Sequence, residues 1–105
     1  PLDGVWASAP YLHNGSVPTL YDMLNSKTRP NLFTRSFRTD ETDYDKTKVG
    51  WQVRQLNATP TDLTPYERRK IYDTTQPGRG NRGHTFGDDF TDEQRRAVVE
   101  YLKTL

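Results

Sequence analysis

A mainly α fold with long irregular loops is expected of these 105 residues on three observations. Stretches near both ends carry helix caps followed by apolar residues at helical spacing. Between them, residues 26–63 hold neither a two-residue nor a 3.6-residue period. Only 31% of the chain is hydrophobic, with a mean hydropathy of -0.99, against roughly 45–50% apolar in ordinary domains. A chain this short and polar either stays loop-rich or completes its core with a cofactor or another polypeptide.

The first element is a short helix over residues 19–25. Thr19 caps it, Asp22 sits at N3 where the helix end favours negative charge, and Leu20, Met23 and Leu24 share one face. Residues 26–63 mix Thr, Asp, Arg and Lys with scattered aromatics: Phe33, Phe37, Tyr44 and Trp51. Within "KVGWQVRQL", residues 48–56, Val49, Trp51 and Val53 alternate with polar or small residues and predict a short strand. "TPYERRKIY", residues 64–72, starts as a helix with Thr64 as cap, Pro65 at N1 and Glu67 at N3, and its Ile71-Tyr72 tail suits either a helix or a strand. Four glycines and a proline make residues 76–89 a loop that can bring backbone close to a partner. The last element is a helix over residues 92–105, opened by a Thr91–Gln94 capping box, with Ala97, Val98, Tyr101, Leu102 and Leu105 on one stripe.

Fifteen basic and fourteen acidic residues nearly cancel, so no global field draws the chain to nucleic acid or an anionic membrane. "GRGNRG", residues 78–83, resembles an arginine-glycine box, but one unrepeated copy in a near-neutral chain reads as a loop, and nucleic acid is not an expected partner. No run of 18 apolar residues provides a membrane span. The absence of cysteine excludes disulfides, thiolate–zinc sites, a cysteine nucleophile and haem attachment through Cys-x-x-Cys-His within these residues. No signal peptide opens the sequence, and the start at Pro1 suggests a processed chain or a piece of a longer protein.

Two histidines lie in loops just ahead of helices. His13 precedes the turn-forming pair Asn14-Gly15, and His84 follows Gly83. Flanking glycines let the main chain approach a flat ring, and a neutral imidazole is a natural ligand for iron. Neither histidine has an i+3 or i+4 partner for a local zinc site, so on spacing alone each reads as a surface or hydrogen-bonding residue rather than a metal ligand. By the same reasoning Trp6, Tyr11 and Phe86 read as core aromatics, and no Ser-His-Asp arrangement can be argued from chain position.

The first 24 residues, "PLDGVWASAPYLHNGSVPTLYDML", resemble a segment of the C-terminal haem domain of bacterial di-haem cytochrome c peroxidases. There, Ala-Pro-Tyr-x-His-Asn/Asp-Gly-Ser is followed by a Thr-Leu helix start. "FTDEQRRAVVEYLKTL" resembles the closing helix of the same proteins, and the two ends cover about 40 of the 105 residues. "KVGW" and "YDTTQPGRGNRGHTFG" are closer to the rubber-oxygenase-like branch, in which a Gly-His-x-x-Gly loop precedes the last helix.

The resemblance implies a partial cytochrome c-like haem domain lacking its haem-attachment segment. Residues 1–105 would be its C-terminal part, with an irregular insertion at about 26–63. His84 takes the place of the axial ligand to the haem iron. The commoner branch puts a methionine fourteen residues after the Pro-Tyr-x-His histidine, and a related maturation enzyme a tyrosine; Lys27 stands there in this chain. His13 is assigned to the haem pocket, through a propionate or backbone hydrogen bond. Pro10 fixes the loop's approach, Trp6 and Tyr11 cover macrocycle or neighbouring protein, and Phe86 is counted in the pocket beside His84.

The cofactor would be haem c, attached through a segment not present in these residues. The partners would be the upstream portion of the same protein, or a companion haem-bearing chain, together with a redox partner. The parent would be a periplasmic or secreted haem-dependent oxidoreductase, peroxidase or oxygenase-like, in which this part transfers electrons and is not active alone. The alternative is a structural or interaction domain without cofactor.

Overall fold

Two threonines open helices where their caps predict them. In the computed structural model, which describes residues 2–12, 14–34, 41–58 and 60–105, Thr64 and Thr91 each close a capping box, with Glu67 and Gln94 respectively. These start α2 (Pro65–Arg69) and α3 (Asp92–Leu102). Thr19 caps α1 (Leu20–Met23) by accepting the Asp22 N–H at 3.1 Å. His13 and Phe37 lie outside the described residues.

The mainly α expectation is overturned. Among the described residues, helical turns, counting 3-10 turns at Val5–Ala7, Ser26–Thr28, Glu41–Asp43 and Phe86–Asp89, make up 34%, and strands with isolated bridges a further 16%. Strands β1 (Leu32–Thr34), β4 (Arg54–Gln55) and β5 (Ile71–Asp73) form an antiparallel sheet in the order β4-β1-β5. A hairpin pairs β2 (Tyr44–Asp45) with β3 (Gly50–Trp51). These strands of two or three residues are too short to display a two-residue period. They are set by cross-strand partners instead: Phe33 stacks on Tyr72 at 5.3 Å, and Tyr44 meets Trp51 edge-on at 5.7 Å.

The strand expected over 48–56 is split into β3 and β4, which pair with different neighbours, β2 and β1; just ahead of β3, Val49 adopts a φ of 62°, a conformation that its β-branched side chain disfavours. The bend lets the Val49 carbonyl accept the Leu20 N–H at 2.8 Å, and it seats Val49 in the core at 1% exposure. Gly50 then passes so close to residues 18 and 19 that a Cβ would stand 2.1 Å from the Pro18 oxygen.

Tyr11, Val17, Leu20, Leu24, Val49 and Val99 form the main buried cluster, with Met23, Val98 and Leu102 packed against it. The radius of gyration, 14.1 Å, exceeds the ~13 Å of a compact domain of this length, in keeping with so small a core. On α3 the inward face is Arg95, Val98, Val99 and Leu102, whereas Ala97 and Tyr101 of the expected stripe are exposed. An arginine takes a core position because backbone carbonyls receive it, which hydropathy does not register.

Candidate functional site

Residues 76–89 carry His84 and Phe86, and two buried arginines hold the backbone of this stretch. The physical origin lies at the end of α1. Its last carbonyls have no partner within the helix, as at every helix C-terminus, and cationic donors suit them. The guanidinium of Arg29, 5% exposed, donates through Nε to the Asp22 carbonyl at 2.9 Å and through Nη2 to the Met23 carbonyl at 3.0 Å. Its remaining N–H groups reach across to the Asn81 and Gly83 carbonyls, both at 2.6 Å, and the His84 carbonyl at 2.7 Å. Burial pushes this guanidinium down from its ordinary value, while Asp88 and Asp22 push it back up; arginine stays protonated throughout.

Arg95, 6% exposed, does the equivalent work one turn further on. Its Nε donates to the Leu24 carbonyl at 2.7 Å, and its Nη2 to the Phe90 and Gly87 carbonyls at 3.0 and 3.3 Å. Gly87 lies against Leu24 so closely that a Cβ would come within 2.5 Å of the Leu24 Cα. The 86–89 turn is thereby pressed onto the end of α1.

His84 itself is exposed and has a φ of 58°. A left-handed histidine is uncommon and costs on the order of 1 kcal/mol; its carbonyl bond to Arg29 offsets that cost. Its ring meets the Phe86 ring edge-on at 6.4 Å, and Phe86 is 62% exposed. A Cβ built at Gly80 or Gly83 would meet nothing within 4 Å, so the backbone leading to His84 lies open on its surface side.

The loop after His13 docks on the same stretch. Asn14 Nδ2 donates to the Gly78 and Gly80 carbonyls at 3.2 and 2.9 Å, and Ser16 Oγ to the Gly80 carbonyl at 3.0 Å. Asn81 Nδ2 donates to the Pro30 carbonyl at 3.0 Å. The arginine-glycine stretch is thus fastened through its backbone, and Arg79 lies 5.7 Å above the Tyr72 ring.

The other expected site residues stand elsewhere. Tyr11 is buried with its hydroxyl donating to the Val5 carbonyl at 2.8 Å, and burial, then Tyr44, pushes its phenol up. Trp6 lines a groove of about 560 Å³ with Tyr44, Val49, Trp51 and Lys103. Pro10, joined to Ala9 by a cis peptide, borders a smaller groove of about 230 Å³ with Phe33 and Tyr72. The described contacts therefore unite His84 with Phe86, and residues 14 and 16 with 78 and 80, while Tyr11 pairs with Val17 and Trp6 and Pro10 each border a groove that Trp51 also lines. His13 lies outside the described residues. Lys27 is exposed.

Sequence reasoning missed Arg29 and Arg95. Arg29 stands in a polar stretch with no period to mark it as interior. Arg95 could have been found, since it completes an i, i+3, i+4, i+7 row with Val98, Val99 and Leu102.

Asp88 supports the turn from its other side, accepting the Ser26 backbone N–H at 2.7 Å and the Ser26 hydroxyl. These hydrogen bonds, the hydroxyl's first, hold its carboxyl below the usual range, with help from Arg29 and Arg95 against a small burial penalty. A depressed carboxylate stabilises the fold in full above its unfolded value of about 4 and stops doing so as pH falls through the folded value. Thermal melts of wild type and Asp88→Asn across pH should therefore differ most at neutral pH and converge below about pH 4.

The loop presents the exposed His84 imidazole on arginine-held backbone, and no group of three or more His, Cys, Asp or Glu that could hold a metal ion is found among the described residues. Residues 1–34 match the family model of RoxA-like, cytochrome c-like proteins, which supports a RoxA-like cytochrome c affiliation. The matched segment includes Arg29 and stops far short of His84. The chain is 35% identical over 115 residues to the uncharacterized protein y4iJ of Sinorhizobium fredii (strain NBRC 101917 / NGR234), covering 100% of this chain and 17% of that protein. It is 36% identical over 118 residues to the uncharacterized protein y4iM of the same strain, covering 98% of this chain and 26% of that one. The chain thus spans about a quarter or less of the length of these relatives.

Proposed function

We propose that this chain forms one wall of a c-type haem pocket, with the His84 imidazole as axial ligand to an iron whose porphyrin is attached through another segment. The observation that carries this reading is His84: an exposed imidazole whose backbone is locked, beside an exposed aromatic ring, on a loop held by a buried arginine. The residues fit a single axial bond, since one neutral imidazole nitrogen is a sound iron ligand. They do not fit covalent attachment, which needs cysteines that the sequence lacks.

When bound, the haem supplies one-electron redox chemistry. His84 would hold the iron and tune its potential through ligand identity, and Phe86 would shield it from water. A haem held by His84 and by a second strong ligand from the attachment segment would leave peroxide and dioxygen no place to bind. The role is then electron transfer to a separate centre that handles peroxide or dioxygen. A periplasmic or secreted location and a redox partner belong to the same proposal.

His84→Ala in the haem-loaded full-length protein tests it. The absorption and electron paramagnetic resonance spectra should lose the low-spin signal of this haem and gain a high-spin one. An unchanged low-spin signal overturns the assignment.

A further inference from the structure

We infer that Arg29 is the positioning residue of the ligand loop, setting the pose of His84 from within the fold; the inference rests on the reading of His84 as an axial ligand. A guanidinium carries five N–H groups in one planar fork, and Arg29 places all of them on main-chain carbonyls. Two of the acceptors, at Asp22 and Met23, belong to α1, and three, at Asn81, Gly83 and His84, belong to the loop. One side chain therefore welds the ligand loop to a helix end.

The planarity of the fork matters as much as the charge. It fixes the three loop carbonyls relative to each other, and with them the orientation of the peptide units on both sides of His84. The left-handed φ of His84 is thereby held in place before any ligand arrives. A ligand imidazole on a loosely held loop must be ordered as it binds iron, and that ordering weakens the bond; a preordered one avoids the loss. Lysine cannot substitute, because a single ammonium has three donors and no fork. The Asn81 amide bond to the Pro30 carbonyl at 3.0 Å is a second, weaker tie between the same two segments.

The test uses the haem-loaded full-length protein with Arg29→Lys, His84→Ala and Arg95→Lys side by side. Arg29→Lys should raise the high-spin fraction of this haem about tenfold, the equivalent of one charge-assisted hydrogen bond, and shift its reduction potential, while circular dichroism stays that of the fold. Added imidazole should restore the low-spin spectrum. Arg95→Lys, equally buried but bonded to no carbonyl of residues 81–84, should lower the unfolding midpoint and move the spin state less than Arg29→Lys does.

If His84→Ala leaves the spectrum unchanged, the ligand reading itself fails. If His84→Ala abolishes the low-spin signal while Arg29→Lys keeps wild-type spin state and potential, the ligand reading stands and the positioning role of Arg29 is overturned. It is overturned equally if Arg95→Lys shifts the spin state as much as Arg29→Lys does. Should Arg29→Lys fail to accumulate, Asn81→Ala loosens the same loop with Arg29 intact: a smaller shift in the same direction supports the role, and none overturns it.

Discussion

Gly87→Ala is expected to destabilise the protein by about 3 kcal/mol or more and to lift the 86–89 turn off α1. A Cβ at this position would stand 2.5 Å from the Leu24 Cα and 2.6 Å from the Leu24 oxygen, distances that no side-chain rearrangement can relieve because both atoms are backbone. The turn cannot simply retreat. It is tied from one side by Arg95 on the Gly87 and Phe90 carbonyls and from the other by Ser26 on Asp88. Relief at residue 87 must break some of those bonds and move Phe86. Gly83→Ala is the matched control, with nothing within 4 Å of the added methyl, and should change stability by less than about 0.5 kcal/mol. Urea or thermal unfolding of the two variants reads the contrast; equal midpoints would refute the close approach of the turn to α1.

Arg95→Met should cost about 3 kcal/mol, although methionine fills much of the same volume. The lost guanidinium leaves the Leu24 carbonyl without its 2.7 Å donor, and the Phe90 carbonyl without its 3.0 Å one. The Leu24 bond is buried and the Phe90 one part-buried, and an unmet buried acceptor is more costly than the original bond was favourable. The ion pair with Asp92 at 3.6 Å adds little, because the aspartate is half exposed. Arg95→Lys should fall between wild type and Met, since an ammonium can serve one carbonyl but not all three. Unfolding midpoints in the order wild type, Lys, Met are the expected result. A Met variant as stable as wild type would show that α3 is held by its apolar row alone.

The helix starts were legible because capping is local chemistry. Thr19, Thr64 and Thr91 each accept the N–H three residues on, and that spacing is written in the chain. The Ile71-Tyr72 tail, which suited either state, became β5 because Leu32–Thr34 lies beside it. The mainly α expectation failed for the same reason: β1, β4 and β5 exist through partners far along the chain, and strands so short, the β2–β3 hairpin included, leave no periodic trace.

At the candidate site, residue types marked two loop histidines, His13 and His84, and it was the resemblance that preferred His84 as the ligand. The cytochrome c-like character of the first residues was likewise readable, and the family match over 1–34 supports it. What holds His84 could not be read. Arg29 lies 55 residues away, and its partners are carbonyls, which every residue carries and which therefore leave no mark in a sequence. Chain chemistry decided where helices begin and which loops carry an imidazole. Folding decided which buried cations meet which backbone oxygens, because that pairing depends on how helix ends and loops come together in space.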